Sequence, residues 1–447
     1  MTPWAPCKVD RALAFPDQAG PPALTRSRNR GYPRYLGIDP SIVVNDIRSA
    51  GARSPADAAD VVVIGAGCTG TSIAWQLAAR GAGRVLLLDQ HGIAAGATGR
   101  SSAIVRMHYM HEVLVRMALR GLRVFEHFSD VVGGESGFRR VGFLAIYGPA
   151  DVNALRANVA MQRAVGVDAQ LLDPADLQAL EPRLVADDIG AAAWEPDSGY
   201  ADPVLTTQSF ADAAERLGVE RRLGVSVSAV EADSAGVQAV VTSEGRIATR
   251  TVVIACGYRS AELLRPLGVD LPVTPVRHAI AIVERSADFG PAHPVVADRL
   301  TTSYYRPEGE RLTLLGFSLP FDGEVDTDIE RDRQPNESET QVLVERYCRR
   351  FPSQARAGLR KGYTGVYDVT PDLQPYLGPV RQVAGVHVAF GFSGHGFKLS
   401  PAVGEVVAEK IVDNRSSLVD IDFFSPNRIA EQRPIISARA YSVVTLG

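Results

Sequence analysis

Glycines and a carboxylate at fixed spacing carry the first chemical signal in this sequence: Gly65-Ala66-Gly67-Cys68-Thr69-Gly70, then Asp89. A G-x-G-x-x-G turn is what a backbone needs to approach a pyrophosphate. Gly65 permits the tight turn, Gly67 leaves room for the phosphates, and Gly70 lets a helix pack on a strand. A helix starting there offers free N–H groups to the anion, and Asp89, about 20 residues on, can accept hydrogen bonds from an adenosine ribose. The ligand class is a dinucleotide; NAD or FAD is left open by this motif alone. Two later stretches mix glycine with polar side chains, GATGRSS (Gly96 to Ser102) and GFSGHGFK (Gly391 to Lys398). Gly96, Gly99, Ser101 and Ser102 suit a second close approach of backbone to a cofactor, or form a plain loop. Taken singly, Lys398 reads as a solvated helix-terminal lysine and Arg106 as half of a structural ion pair.

The elements around these residues follow from apolar periodicity. Val61 to Ile64 is a β-branched run that stops at the glycines, Ile73, Ala74 and Leu77 then recur at helical spacing, and Val85 to Leu88 forms a strand ending on Asp89. Thr251 to Gly257 (TVVIACG) is a buried strand ending in glycine, as in a parallel sheet covered on both faces. Val386 to Val412 is strand, glycine-rich turn and helix, with Ser400 a candidate cap and Pro401 suited to the first turn. Between them fall helices over Val113 to Phe128, Asp151 to Val165 (capped by Asp151), Thr207 to Leu217 and Glu337 to Phe351. Strand-like pieces cover Val141 to Ile146, Val225 to Val230 and Val237 to Thr242. Residues 272–320 alternate between Pro and Gly breaks, which implies an antiparallel sheet. The expected class is α/β: a Rossmann-like FAD/NAD(P)-binding domain with a second α+β substrate domain built on an antiparallel sheet. Residues 60–135, 186–262 and 360–425 are assigned to the first, 136–185 and 263–359 to the second, with the site at their junction. Residues 1–59, rich in proline, are an extension expected to be partly disordered, its Arg26 to Arg30 cluster a solvated basic loop. Residues 426–447 form a tail.

Composition narrows the partners. A chain of 447 residues with 47 basic and 51 acidic side chains, net charge -4, has no field that favours nucleic acid or an anionic membrane. Cys7, Cys68, Cys256 and Cys348 show no CxxC or Cys/His spacing, so no metal is expected, and they suit a reducing cytoplasm. No apolar stretch approaches the roughly 20 residues that span a bilayer.

Taken together, the first motif, GATGRSS with Arg106, TVVIACG, VYDVTPD, GFSGHGFKLSP and the late IDFFSPNR resemble the D-amino-acid oxidase superfamily of flavoproteins, nearest to the monomeric sarcosine oxidase group and related flavin subunits. The resemblance covers roughly residues 60 to 430; GFSGHGFK is its specific part, whereas GxGxxG is common. It implies FAD as cofactor. The adenosine half would lie on Gly65, Gly67, Gly70 and Asp89, with Arg100, Ser101 and Ser102 along the pyrophosphate and flavin. Gly257 closes the return strand, and Ser393, Gly394, His395 and Gly396 would lie near the flavin ring. The implied substrate is a small, commonly N-methylated, amino acid (sarcosine-like, glycine-like or D-amino acid) whose carboxylate is fixed by Arg106 and Lys398, with Tyr367 and Tyr305 lining its side. The implied reaction is oxidation of the C–N bond to an imine by hydride transfer to flavin N5, the chemistry being largely the cofactor's. Oxygen or another acceptor then takes the electrons.

Three positions depart from the family pattern. Gly365 stands where some members link FAD through a cysteine, so noncovalent FAD is expected, a histidyl link through His108 or His111 remaining open. Leu314 stands where oxidases of this type carry a lysine that assists oxygen reduction, which leaves Arg306 or Arg311 as substitutes and a dehydrogenase passing electrons to a non-oxygen acceptor as the competing reading. Ala103 replaces the first member of an arginine pair three positions before Arg106. A flavin-bearing assembly protein without turnover, or an electron-transfer subunit with a partner, are the further alternatives.

Overall fold

The computed structural model describes residues 58–318 and 332–443. The expected extension over 1–59, with its basic cluster and Cys7, therefore lies almost wholly outside the described residues.

Val61–Ile64, Val85–Asp89 and Thr251–Ile254 are short apolar runs buried along nearly their whole length. Strands of that kind pair parallel between two covering layers. They form the centre of a six-stranded sheet in the order Tyr376–Pro379, Val386–Phe390, Thr251–Ile254, Val61–Ile64, Val85–Asp89, Glu220–Leu223. All neighbours are parallel except the Tyr376–Pro379 edge strand. Alternation along each strand decides what covers which face. Val61, Val63, Val85 and Leu87 pack with the helices Cys68–Ala79 and Gly396–Asp413, while Val62, Ile64, Leu86 and Leu88 meet residues of a three-stranded antiparallel sheet, Val227–Asp233, Gly236–Thr242 and Gly245–Ala248.

The second large sheet has eight strands in the order Gly358–Val369, Thr274–Glu284, Leu312–Phe317, Ser303–Glu308, Val295–Asp298, Phe143–Tyr147, Ala191–Glu195, Gln170–Leu172. It is antiparallel except where Val295–Asp298 runs beside Phe143–Tyr147. One face carries Ala281, Val283, Tyr305, Leu315 and Phe317 into a core closed by Leu343 and Tyr347 of the helix Glu337–Arg350. The other carries Ile280, Tyr304 and Leu314, packed with Ile104 and Tyr363, toward the dinucleotide side.

Several local expectations change. The strands Ala191–Glu195 and Gly358–Val369 fall in segments assigned to the dinucleotide domain, yet both hydrogen-bond into the eight-stranded sheet. A short apolar run does not say which sheet it will join. Asp151 precedes the helix Val152–Val165 without capping it; its carboxylate accepts from the Ser442 amide and hydroxyl instead, each at 2.7 Å. Ser400 is no cap either. The last helix starts at Gly396, so Ser400 lies inside it and donates to the Phe397 carbonyl at 2.8 Å. The amphipathic helix expected from Thr207 starts earlier, at Pro203, because Asp202 caps it by accepting from the Val204 and Leu205 amides, and proline suits its first turn. No described helix is long and apolar enough to cross a membrane.

Candidate functional site

Between the carboxyl ends of the parallel strands and the Gly358–Val369 strand lies a cavity of about 600 Å³. Its floor is the first motif. Gly65 has φ +109°, and a Cβ there would stand 2.5 Å from the Ala255 carbonyl oxygen; a Cβ on Gly70 would stand 1.9 Å from the Gly65 oxygen. Any side chain at either position would fill or push apart the cradle. Gly65 and Gly67 line the cavity; Gly70 sits behind it. Asp89 is fixed at the wall by the amides that donate to it, Ala66 to Oδ2 at 2.8 Å and His91 to Oδ1 at 2.8 Å. Thr98 of the GATGRSS turn accepts from the Cys68 amide at 3.2 Å, which folds that turn over the helix N-terminus. Arg100 and Ser101 thereby reach the cavity, and Gly257 faces them from the return strand. Among the described residues no cluster of His, Cys, Asp and Glu could hold a metal ion. A glycine cradle, a helix N-terminus and a fixed carboxylate on one elongated cavity fit a dinucleotide.

The far wall joins the late turn to Tyr367. A Cβ on Gly394 would stand 2.7 Å from the Tyr367 ring, so the glycine is required by contact. Gly394, Gly396 and Tyr367 all line the cavity. Tyr367 stacks on His278 with centroids 4.5 Å apart, and the Tyr304 hydroxyl, buried on the same face, has no hydrogen-bond partner among the described residues. Ser393, at φ +51°, holds the turn by accepting from the Thr370 amide at 3.2 Å. His395 Nε2 meets the Leu373 carbonyl at 3.0 Å. A carbonyl only accepts, so Nε2 carries the proton and Nδ1 faces the Tyr109 hydroxyl at 3.4 Å as an acceptor. Tyr305 is not brought to the site. It points to the opposite face, buried against Tyr347 and bonded to the Ser303 hydroxyl at 2.9 Å. Adjacent residues of a strand face opposite ways, so the aromatic on the site face is Tyr304.

Arg106 and Lys398, nearly 300 positions apart in sequence, meet around one ring. The Arg106 guanidinium lies 4.6 Å and the Lys398 ammonium 5.7 Å from the Tyr109 centroid. Each is only 5% exposed. Burial, then the charges of Arg106 and Arg299, push the Lys398 pKa well below its ordinary value; Glu195 opposes them. Burial likewise lowers Arg106. Glu195 is fully buried and accepts from the Met107 amide at 2.9 Å and Ser198 at 2.7 Å through Oε2, while Oε1 has no hydrogen-bond partner among the described residues. Burial raises its pKa. Among the described residues the cluster sets the cations Arg106, Arg299 and Lys398 against the carboxylate Glu195, a balance that a carboxylate ligand would even out.

Leu314 is 3% exposed on the site face, and Arg306 is its register partner on the next strand, 3% exposed and stacked 4.3 Å over Tyr200. Arg311 is in solvent, paired with Glu284. Gly365 lines the cavity, where a Cβ would stand 3.1 Å from Arg100 Cβ. Neither His108 nor His111 lines it: His108 is enclosed by Tyr147, Tyr441 and Gln162, and His111 packs against Phe423. Ala103 takes φ +51° at the turn into Ile104–Val105.

The family described as DAO, FAD dependent oxidoreductase, matches residues 60–410. The chain belongs to this family. Among its relatives, mitochondrial dimethylglycine dehydrogenase of Rattus norvegicus is 24% identical over 392 residues, covering 83% of this chain and 45% of that protein. The chain thus spans about half the length of the dimethylglycine dehydrogenases it matches. Monomeric sarcosine oxidase of Streptomyces avermitilis is 28% identical over 393 residues, covering 83% of this chain and 98% of that protein. The solved L-proline dehydrogenase from P. horikoshii superposes with a TM-score of 0.77 at 26% identity, over 84% of this chain and 99% of that one.

Membership in the DAO family implies FAD as the cofactor. Several site residues carry no motif of their own. Tyr304 adjoins Tyr305 in sequence, and only the strand register, which puts Tyr304 on the face of Leu314, tells the two apart. Tyr109, His278 and Glu195 give no local signal. Asp368, whose carboxylate accepts from the Gly391 amide at 2.6 Å and Phe392 at 3.1 Å and which burial raises to about 6, stands in VYDVTPD between the residues that were singled out. Asp372 of the same stretch is structural: it receives Arg428 of SPNR through Nε and Nη2, both at 2.8 Å.

Proposed function

We propose that this chain is an FAD-dependent oxidoreductase that oxidises the C–N bond of a small amino acid or N-methyl amino acid to an imine. The observation that carries the reading is the pair Arg106 and Lys398, buried on one aromatic ring beside the turn that meets Tyr367. FAD, held noncovalently on Gly65, Gly67, Asp89, Arg100, Ser101 and Gly257, supplies a two-electron acceptor there. Arg106 binds the substrate carboxylate as a planar fork and Lys398 as a point charge. Two cations next to the substrate nitrogen favour its neutral amine and so keep the lone pair available as the C–H bond breaks. Tyr304, Tyr367 and Leu314 form an apolar wall that excludes water and orients the reacting carbon. The three described cysteines are free thiols, which supports a cytoplasmic location.

The competing reading, a dehydrogenase that hands its electrons to a non-oxygen acceptor or a partner subunit, is favoured by Leu314 on the site face. Purified protein should be yellow, with flavin released by acid. Anaerobic bleaching by a panel of N-methyl, glycine-like and D-amino acids identifies the substrate; a flavin that no member bleaches would sink the enzyme reading. Rapid recovery of colour in air would remove the dehydrogenase.

A further inference from the structure

The segment 435–443 runs along the surface of the fold, with Ile435, Ser437 and Tyr441 half-buried and the residues between them exposed. The Ile435 amide donates to Asp372 at 2.9 Å, Ser437 Oγ to the Met110 carbonyl at 3.2 Å, and Asn158 Nδ2 to the Arg439 carbonyl at 3.0 Å. Ser442 is held by Asp151. Tyr441 packs on Tyr147 and on His108, which lies next to Arg106 in chain and space. Its ring lies 4.3 Å from that of Tyr147, centroid to centroid, and its hydroxyl 2.9 Å from His108 Nε2.

The direction of these hydrogen bonds is fixed by valence. Gln162 Nε2 lies 3.2 Å from the Tyr109 carbonyl, which only accepts, so the amide nitrogen must be on that side. Its second hydrogen then faces His108 Nδ1, also at 3.2 Å. His108 is neutral, pushed to about 3 by burial and then by Arg106 and Arg299. With Nδ1 accepting, the ring proton sits on Nε2, between the hydroxyls of Tyr441 and Tyr147, the latter at 3.0 Å. The main-chain carbonyl of the same histidine accepts from the Arg106 guanidinium. One histidine therefore ties the strap to the arginine at both its ends.

We infer that Tyr441 is a positioning residue of the substrate site: it sets the rotation of His108, and with it the Arg106 to His108 stretch that presents the guanidinium to a substrate carboxylate. Removing the hydroxyl frees the Nε2 proton from one of its two acceptors. Removing the ring also uncovers Tyr147. Neither change touches the FAD cradle, where no residue of the strap lies. The inference rests on the proposed role of Arg106, and its test separates the two.

The full-length, FAD-loaded protein is compared as wild type, Tyr441→Phe and Tyr441→Ala. For the amino acid that bleaches the flavin, Tyr441→Phe should raise KM about three- to tenfold, the contribution of one buried hydrogen bond, with kcat within about twofold; Tyr441→Ala should raise it further. Amide hydrogen exchange over residues 104–111, read by mass spectrometry without any substrate, should quicken by a similar factor in Tyr441→Phe. A KM unchanged in both variants, with wild type turning over normally, overturns the inference and leaves the function standing. If no amino acid bleaches the wild-type flavin, the function falls, and the exchange data alone decide: faster exchange over 104–111 supports the link through His108, unchanged exchange overturns it.

Discussion

Two buried charge clusters in this chain differ in one respect, whether the protein itself completes them. Under the eight-stranded sheet, Arg350 at the end of the helix Glu337–Arg350 is fully buried and meets Asp298 at 2.6 Å and Asp188 at 2.5 Å, and the Val185 carbonyl takes a further N–H at 3.2 Å. Its pKa is raised: burial works against the charge, and the two carboxylates outweigh it. At the site, Arg106, Lys398 and Arg299 act on one another with Glu195 the opposing carboxylate, and the Lys398 pKa is driven down. A balanced cluster holds elements together; one with more cations than carboxylates among the described residues can take up a ligand that brings a further anion.

The comparison can be broken first at its structural end. Arg350→Met leaves the buried Asp298 without its cation and the half-buried Asp188 with Arg349 alone, which should cost about 3–5 kcal/mol of unfolding free energy. Denaturant titration reads the loss, and the KM of surviving enzyme should not move; a selective KM change would erase the distinction. Lys398→Met should behave the other way round. Substrate affinity should fall about 30-fold or more, the scale of truncating one member of a desolvated charge pair, with FAD retained and thermal stability unchanged or higher, since a buried cation short of a partner is lost. Unchanged kinetics would refute the role of Lys398.

Acid and alkali should separate the clusters more gently. Burial raises Asp188, but hydrogen bonding and charge from Arg350 outweigh it and leave its pKa below the ordinary range. Its contribution to stability is therefore full above the unfolded value and lost as pH falls through the lowered folded one. Lys398 has the opposite sign. Its folded pKa is depressed, so stability rises with pH between that value and the ordinary lysine value, while the affinity for a carboxylate ligand falls across the same window because binding must reprotonate the amine. Isothermal titration with acetate across that window checks the slope; an affinity that rises with pH contradicts it. The smallest expected effect is that of Tyr304→Phe, which removes a buried hydroxyl without a hydrogen-bond partner among the described residues and no charge. It should leave kcat/KM within about twofold, since no protein hydrogen bond is lost, measured in steady state.

The cradle was legible because its signals are local. Gly65, Gly67, Gly70 and Asp89 lie within one βαβ unit, and each acts through backbone geometry that the sequence states directly. GFSGHGFK was legible as a turn, and Gly394 proved to be glycine because Tyr367 stands against it. Tyr305 misled because two tyrosines are adjacent, and their sequence does not tell which face of the Ser303–Glu308 strand meets the site. Ser400 and Asp151 misled for a related reason. Both are good capping residues, but a helix start is decided by where the chain turns, and at both places tertiary contacts engaged the side chain otherwise.

Sequence by itself determined the dinucleotide class of the first motif and the parallel strands around it, since both are written in short-range spacing and periodicity. Tertiary structure alone decided which charges are balanced. Arg106, Glu195, Arg299 and Lys398 come from four distant stretches, and Asp188, Asp298 and Arg350 from three. Whether a buried cation stabilises the fold or awaits a ligand depends on the carboxylates within a few ångströms of it, and that distance is set by how the two sheets pack, not by position along the chain.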